Sequence, residues 1–339
     1  MINSREFAAL LGISQSTVSR AMNNSPLVPL EKRQYIQKMA GQYGFALNSQ
    51  ARGLKTRKTG IIGILFPTFF ESLSKNMMFA YVYDVVQREL IKSDYDIMMV
   101  YDYDEQAGMN AFERIVKSQK VDGFITLRSI LSERDRELIE QYHIPCVAVY
   151  NAQEEGANFL LDGYDAGRQA GEFFGELRDY HYGYVTVPVS EKEAQKRLNG
   201  LKDGLSRRNK TVDPDRILEC SLSMEAAYRA VMGHRDRFME GKSAMLVYND
   251  MMAIGVVNAL KDLGIPVPGQ VQVIGMDDLP IASWIHPSLS TLHAPIYEMV
   301  HSGCSILYQM IHGQEVGPVN QSFRYSFIHR ETTEAFLAE

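Results

Sequence analysis

Along the first 45 positions apolar residues recur at helical spacing; from position 60 they gather into short unbroken runs separated by helical stretches. The opening segment reads as three short helices. Asn3 followed by Glu6 has the form of a capping box, in which each side chain accepts from the other residue's backbone N–H. Phe7, Ala8, Leu10 and Leu11 supply an apolar face, and Gly12 breaks the helix because it tolerates the positive φ of a tight turn. Ser14 can cap a second helix, Gln15 to about Asn23, through the backbone of Thr17. Val18 and Met22 form the inward stripe of that helix, and Gln15, Ser16, Ser19, Arg20 and Asn23 its polar face. Pro26 and Pro29 mark a loop. A third helix follows from about Leu30 to Tyr43, with Tyr35, Ile36, Met39 and Tyr43 as core and Gly44 as its stop.

Beyond a basic connector the texture becomes βα. Strands are expected at Gly60–Phe66, Asp96–Tyr101, Gly123–Leu127 and Pro145–Tyr150, with helices near 74–93, 106–118 and 132–141 between them. A second series has strands at Tyr182–Val187, 216–219, Ala244–Tyr248 and Val271–Met276, with helices near 164–178, 191–208, 225–240 and 250–263. Strands alternating with helices of this length imply right-handed βαβ units and parallel sheets. There are too many for one compact sheet. The fold class is a small all-α helix-turn-helix head plus an α/β body of two similar doubly wound subdomains, with a ligand cleft at the strand C-terminal edges.

Charge changes this picture. Residues 1–58 hold nine basic and two acidic side chains, a net of +7, which leaves −13 on the rest of a chain whose total is −6. A basic head on an acidic body is the layout of a nucleic-acid binder. A polar second helix can then lie in the major groove, with Gln15 suited to adenine, Arg20 to guanine and Ser16 to a base edge. Ser14, Thr17, Ser19 and Asn23 suit phosphate oxygens. The competing reading of the pattern alone is an amphipathic helix pair in an all-α head.

The string from Leu10 to Asn23 resembles the recognition signature of the LacI/GalR family of transcriptional regulators, G-V-S-x-x-T-V-S-R-x-L-N, matching at Gly12, Ser14, Thr17, Val18, Ser19, Arg20 and Asn23. The usual opening run of that family is altered here to Ile2-Asn3-Ser4-Arg5-Glu6-Phe7-Ala8, a departure in the bracing helix. Asn48 to Lys55 resembles the family hinge P-N-x-x-A-R-x-L, with Leu47 in place of the proline. The resemblance implies that Ala51 and Leu54 enter the minor groove on operator DNA, where an apolar wedge partly unstacks a base step. A linker leucine packed on the body is the other reading of Leu54.

Over the body the likeness rests on Asp162–Gly167, Arg197–Gly200, Val247–Ala253, Val273–Asp278 and Pro287–Leu292. It implies the fold of periplasmic sugar-binding proteins, and effector contacts from Arg197, Asn249 and Asp277. An aromatic should cover a sugar face, with Phe69, Phe70, Tyr248 and Trp284 as candidates; Phe70 and Trp284 are carried forward with the three polar residues. Taken alone, Asp277 could be a helix cap and Arg197 a surface residue. The division expected is a helix-turn-helix domain at 1–46, a hinge at 47–59 and an effector-binding and dimerisation domain at 60–339. Within the last, one subdomain takes about 60–160 and 293–322 and the other about 161–292 and 323–339.

The expected partners are palindromic operator DNA, a small-molecule effector of sugar type, and a second copy in a homodimer. The stripe Met77, Met78, Tyr81 and Val85 serves either the dimer or the sheet beneath it. No membrane, cofactor or metal is expected, and a cytoplasmic location follows from the absence of a signal-peptide core behind Met1. Cys146, Cys220 and Cys304 are too scattered for a metal pair and are read as buried free thiols. An enzyme is disfavoured: Gly241-Lys242-Ser243 lacks the upstream glycine of a phosphate loop, position 236 being Asp, and no G-x-S-x-G or dinucleotide fingerprint occurs. His143, His286 and His312 have no nucleophile near them in sequence. A purine-responsive corepressed regulator and a sugar-binding protein without a DNA role remain as alternatives.

Overall fold

The computed structural model describes residues 2–22, 24–45, 58–67, 73, 76–101, 110–128, 131–150 and 156–334. Asn23, Ala51, Leu54, Phe69 and Phe70 lie outside them. The head has helices α1 (Ser4–Leu10), α2 (Gln15–Met22) and α3 (Leu30–Gln42). The Asn3–Glu6 capping box closes the start of α1. Gly12 takes φ +64° in the turn. Phe7, Val18, Ala21, Ile36 and Ala40 make the small core, sealed by Phe45 stacked on Phe7 with ring centroids 4.3 Å apart. Tyr35 and Tyr43 are not in it: they are 56% and 48% exposed. The inward stripe of α3 is Ile36, Met39 and Ala40; at 100° per residue Tyr35 falls beside it, while Tyr43 is the C-cap, past the last helical residue.

The body contains two six-stranded sheets. In chain order its elements are β1 (Ile61–Leu65), α4 (Met77–Ile91), β2 (Asp96–Val100), α5 (Ala111–Lys117), β3 (Gly123–Thr126), α6 (Glu133–Gln141), β4 (Cys146–Tyr150), β5 (Ala157–Leu161) and α7 (Gly163–Gly175). There follow β6 (Tyr180–Thr186), α8 (Lys192–Ser206), β7 (Ile217–Glu219), α9 (Met224–Gly233), α10 (Arg235–Met239), β8 (Lys242–Val247), α11 (Asp250–Asp262) and β9 (Val271–Asp277). The last elements are β10 (Ser290–His293), α12 (Ile296–Ile311), β11 (Val319–Phe323) and β12 (Ser326–Ile328). The first sheet runs β11-β5-β4-β3-β1-β2, all parallel; the second runs β12-β10-β9-β8-β6-β7, parallel except for the β10–β12 pair. Each sheet winds outward in both directions from its first strand. That places one topological switch point between β1 and β3 and a second between β6 and β8.

The chain passes between the sheets after β5, after β10 and between β11 and β12. The short strands β5, β10, β11 and β12 have no counterpart in the expected series. β10 to β12 carry Ser, Thr, Asn, Gln and His, and pattern alone does not separate them from loops. The single helix expected over 225–240 is two, α9 and α10, because His234 leaves helical geometry at φ −119°. On α4, Met78 and Val85 are buried while Met77 and Tyr81 are half-buried, so this stripe packs largely onto the first sheet.

Helices α7 and α8 meet backbone to backbone. A Cβ on Gly167 would lie 2.0 Å from the Arg197 carbonyl oxygen, and one on Gly200 would lie 2.0 Å from that of Tyr164. Glycine in mid-helix costs about 0.5–1 kcal/mol relative to alanine. Here it is the only residue that fits, and the contact fixes the axis of the helix that carries Arg197. The three cysteines are free. Burial pushes the Cys146 and Cys304 thiols up to about 12, so neither is a reactive thiolate at neutral pH.

Candidate functional site: a polar helix face and an enclosed cleft

Two places gather the candidate residues. On the head, Ser14 Oγ accepts from the Thr17 backbone N–H at 3.1 Å and contacts the hydroxyls of Ser16 and Thr17 at 2.8 Å each. The cap satisfies one of the free N–H groups at the start of α2. With Val18 and Ala21 fully buried, helical periodicity turns Gln15, Ser16 and Arg20 outward as exposed residues, with Thr17 and Ser19 half-buried beside them. Two residues that pattern reading passed over hold the far end of α2. Gln37 donates to the carbonyl of Ala21 at 3.0 Å and to Asn24 Oδ1 at 2.9 Å, and Arg33 donates to the Asn24 carbonyl at 2.8 Å. Their signal is only that they are polar residues on the side of α3 facing α2.

In the body, the strand ends of both sheets converge on a second group. Arg197, on α8, is only 3% exposed. Its guanidinium lies 4.2 Å over the Tyr248 ring and donates to the Tyr248 carbonyl. Tyr248 follows β8 directly, next to the switch point of the second sheet. Asp277 closes β9 with φ +113°, a conformation L residues rarely adopt, and is 2% exposed. Burial raises its carboxyl pKa to about 7, against the pull of the Arg197 charge. It is not a helix cap, since the short turn that follows, Pro280–Ser283, starts from Leu279.

Asp250 holds this strained turn in place. Its two oxygens accept from the Leu279 backbone N–H at 2.8 Å and from the Thr291 hydroxyl at 2.6 Å. Burial, then the neighbouring Asp277, keeps the Asp250 carboxyl well above the usual carboxylate range. Asp278, at φ +57°, is tied to Arg330 at 2.6 Å and to His293 at 3.0 Å.

Asn249 is the N-cap of α11. Its Oδ1 accepts from the Met252 N–H at 2.9 Å, so only its amide donors are free of that duty. Trp284 is 70% exposed and stands in solvent rather than over Arg197 and Asp277.

The structure adds residues that sequence reasoning did not select. Tyr184 and Thr186 lie on one face of β6, Tyr150 ends β4 at φ +77°, and Tyr325 sits on the connection between β11 and β12. Burial raises the pKa of all four tyrosines, Tyr150, Tyr184, Tyr248 and Tyr325, so each remains a neutral hydroxyl. Burial opposes the charge on Arg197 as well, but the surrounding tyrosine oxygens outweigh it and its pKa lies above the ordinary arginine value.

Arg197 Nε, Asp277 Oδ1 and the hydroxyls of Tyr184, Thr186 and Tyr325 are buried without a hydrogen-bond partner. Each such group costs about 1–3 kcal/mol if nothing satisfies it. Arg197 lies near Tyr184 and Tyr325, and Asp277 near Tyr325, so these buried groups together offer both donors and acceptors to a small polar guest. Among the described residues no group of three or more His, Cys, Asp or Glu could hold a metal ion. No described helix is long and apolar enough to cross a membrane.

Comparison with known proteins places this geometry. Residues 176–333 match the family model of the periplasmic binding protein-like domain. The chain is 25% identical over 321 residues to the HTH-type transcriptional repressor PurR of Vibrio vulnificus, covering 93% of each. It is 25% identical over 334 residues to catabolite control protein A of Staphylococcus xylosus, covering 95% of this chain and 96% of that one. In structure it resembles a Lac repressor dimer solved with operator and the anti-inducer ONPF, with TM-score 0.79, 23% identity and coverage of 98% and 99%. It also resembles the regulator CelR solved with cellobiose, with TM-score 0.70, 20% identity and coverage of 98% and 100%.

Proposed function

We propose that the chain is a cytoplasmic, homodimeric DNA-binding repressor of the LacI/GalR family whose hold on a palindromic operator is set by a sugar-like ligand enclosed between the two sheets. One observation carries the ligand part: five buried polar atoms without partners cluster around Arg197 and Asp277, on elements of the second sheet and on the connection that holds Tyr325. A sugar hydroxyl both donates and accepts, and so does most of this set. Arg197 and Asp277 are the polar anchors, with the amide of Asn249 at the rim. Phe70 and Trp284 enter only if the liganded protein brings them over the guest.

On DNA, Gln15, Ser16 and Arg20 read base edges in the major groove, and Ser14, Thr17, Ser19 and Asn23 engage phosphates. Ala51 and Leu54 lie in the minor groove, where the leucine wedges a base step. Two heads in a symmetric dimer require a two-fold operator. The ligand acts by binding one of two arrangements of the sheets better than the other, which shifts the population of the operator-competent form.

The test is a selection of bound genomic fragments, with and without a panel of sugars and purine bases. A palindrome that one sugar abolishes is the expected result. A palindrome recovered only with a purine would replace the sugar reading with a corepressed one, and no palindrome at low salt would end the DNA assignment.

A further inference from the structure

We propose that Tyr325, on the third connection between the sheets, hydrogen-bonds the ligand directly through its hydroxyl, and that the guest it helps to select is an uncharged polyol rather than a phosphorylated one. This rests on the ligand reading above. Tyr325 is 4% exposed, and its hydroxyl is one of the five buried polar atoms with no partner. It is near enough to Arg197 and Asp277 for their charges to act on it, and it lies near Tyr150. A tyrosine whose only purpose was packing would leave that oxygen paired, or would be a phenylalanine. The first two groups around it belong to the second sheet and its helices, and Tyr150 to the first. Tyr325 belongs to the connection joining them.

The backbone of Tyr325 is held as firmly as its ring. Its carbonyl accepts from Gln169 Nε2 at 2.8 Å, and the same Gln169 amide donates to Asp165 Oδ2 at 2.7 Å. The connection is thereby fastened to α7, and a guest that engages the hydroxyl engages the connection too.

The choice of an uncharged guest follows from the sum of charges. Arg197 is the single buried cation of the set, and Asp277 lies close enough to Asp250 to raise the cost of ionising it. A phosphate dianion would meet one guanidinium and two carboxyl groups. Burying an anion without compensating partners is costly. Neutral hydroxyls suit every group present: a guanidinium donor, a carboxyl on the edge of ionisation and three amphoteric hydroxyls.

The experiment compares the full-length wild type with Tyr325→Phe. The probes are ribose, glucose, galactose and cellobiose, the 6-phosphates of glucose and galactose, and ribose 5-phosphate. Thermal unfolding and titration calorimetry are the readouts. Without sugar, Tyr325→Phe should melt at the wild-type temperature or above it, because the lost hydroxyl had no partner. One neutral sugar should raise the wild-type melting temperature while its phosphate does not, and Tyr325→Phe should bind that sugar about tenfold more weakly. In a deoxy series of that sugar, one member should bind both proteins equally, which identifies the hydroxyl that Tyr325 touches.

A variant that binds as tightly as the wild type, or that discriminates every deoxy sugar as it does the parent, would overturn the contact while leaving the sugar reading standing. A large drop in melting temperature without sugar would make the hydroxyl structural and overturn it equally. Preference for a phosphate would overturn the choice of an uncharged guest. A wild type that responds to none of these probes would fail the sugar reading itself, and this proposal with it.

Discussion

The head and the cleft handle polar groups in opposite ways. On α2, Gln15, Ser16 and Arg20 are exposed around a core as small as Val18 and Ala21, and water serves them until a partner arrives. In the cleft, Arg197, Asp277, Tyr184, Thr186 and Tyr325 are buried, and several of their polar atoms have nothing to bond. A surface reader of this kind adds little to the cost of folding. An enclosed one stores unsatisfied groups in the folded state and is expected to be less stable empty than filled. The difference implies that at the reading face of the head a mutation's effect on binding should come with little effect on stability, while among the unpartnered groups of the cleft the two should run in opposition.

The largest test falls on the cleft's foundation. Gly167→Val puts branched carbon where even a Cβ would lie 2.0 Å from the Arg197 carbonyl, and no rotamer relieves an overlap with backbone. The body should lose about 4 kcal/mol or more, read by denaturant unfolding, while the head keeps its own transition. An unaltered body would mean that the two helices are free to separate.

Next is the pH dependence of Asp277. Its folded pKa of about 7 lies above the ordinary aspartate value of 3.8. At low pH the group is protonated in both states and makes no difference. As pH rises past about 4 the unfolded chain ionises first, so stability falls progressively, and it levels off above about pH 7. The full effect is on the order of 4 kcal/mol. Asp277→Asn should remove that decline between pH 5 and pH 8 in chemical denaturation and abolish the ligand response. A slope identical to the wild type would place the titration elsewhere.

The head gives smaller effects. Arg20→Ala should weaken operator binding by roughly 10- to 100-fold, the loss of one base-reading pair, measured by fluorescence anisotropy. Ligand affinity in calorimetry should stay as it was, since Arg20 and the cleft share no residue. The smallest is Asn3→Ala, which opens the capping box and should cost about 1 kcal/mol in the head transition alone. If the body transition moved with it, the two regions would be folding as one unit and the comparison would lose its basis.

How much of this was legible in the sequence divides along the same line. The head is built from local signals: Asn3 with Glu6, Gly12, and Ser14 with Thr17 act within four residues of one another, so the string states them directly. The errors there are Leu10 and Tyr35, which sit on the outer side of their helices, and Tyr43, which caps α3 where the helix has ended. In the body the alternation of strands and helices was readable, but strand order was not. Tyr184, Thr186 and Tyr325 become neighbours only through the pairing of β6 with β8 and the return of the chain at β12. Arg197 and Asp277 could be singled out through family likeness, not through anything their spacing requires. Trp284 is a candidate only as an aromatic able to cover a sugar face, and the structure leaves it 70% exposed to solvent.

The glycine seam between α7 and α8 also bears on how such a cleft can change its guest. Side chains at the strand ends can be exchanged one at a time, and each exchange alters only what the guest meets. Gly167 and Gly200 allow no exchange, because the partner at each is a carbonyl oxygen and not a movable side chain. The seam therefore works as a fixed jig: variation above it retunes the chemistry offered, while the position from which Arg197 reaches in is inherited unaltered. A library built to redirect this regulator has its freedom at Tyr150, Tyr184, Thr186 and Tyr325, and none at the two glycines.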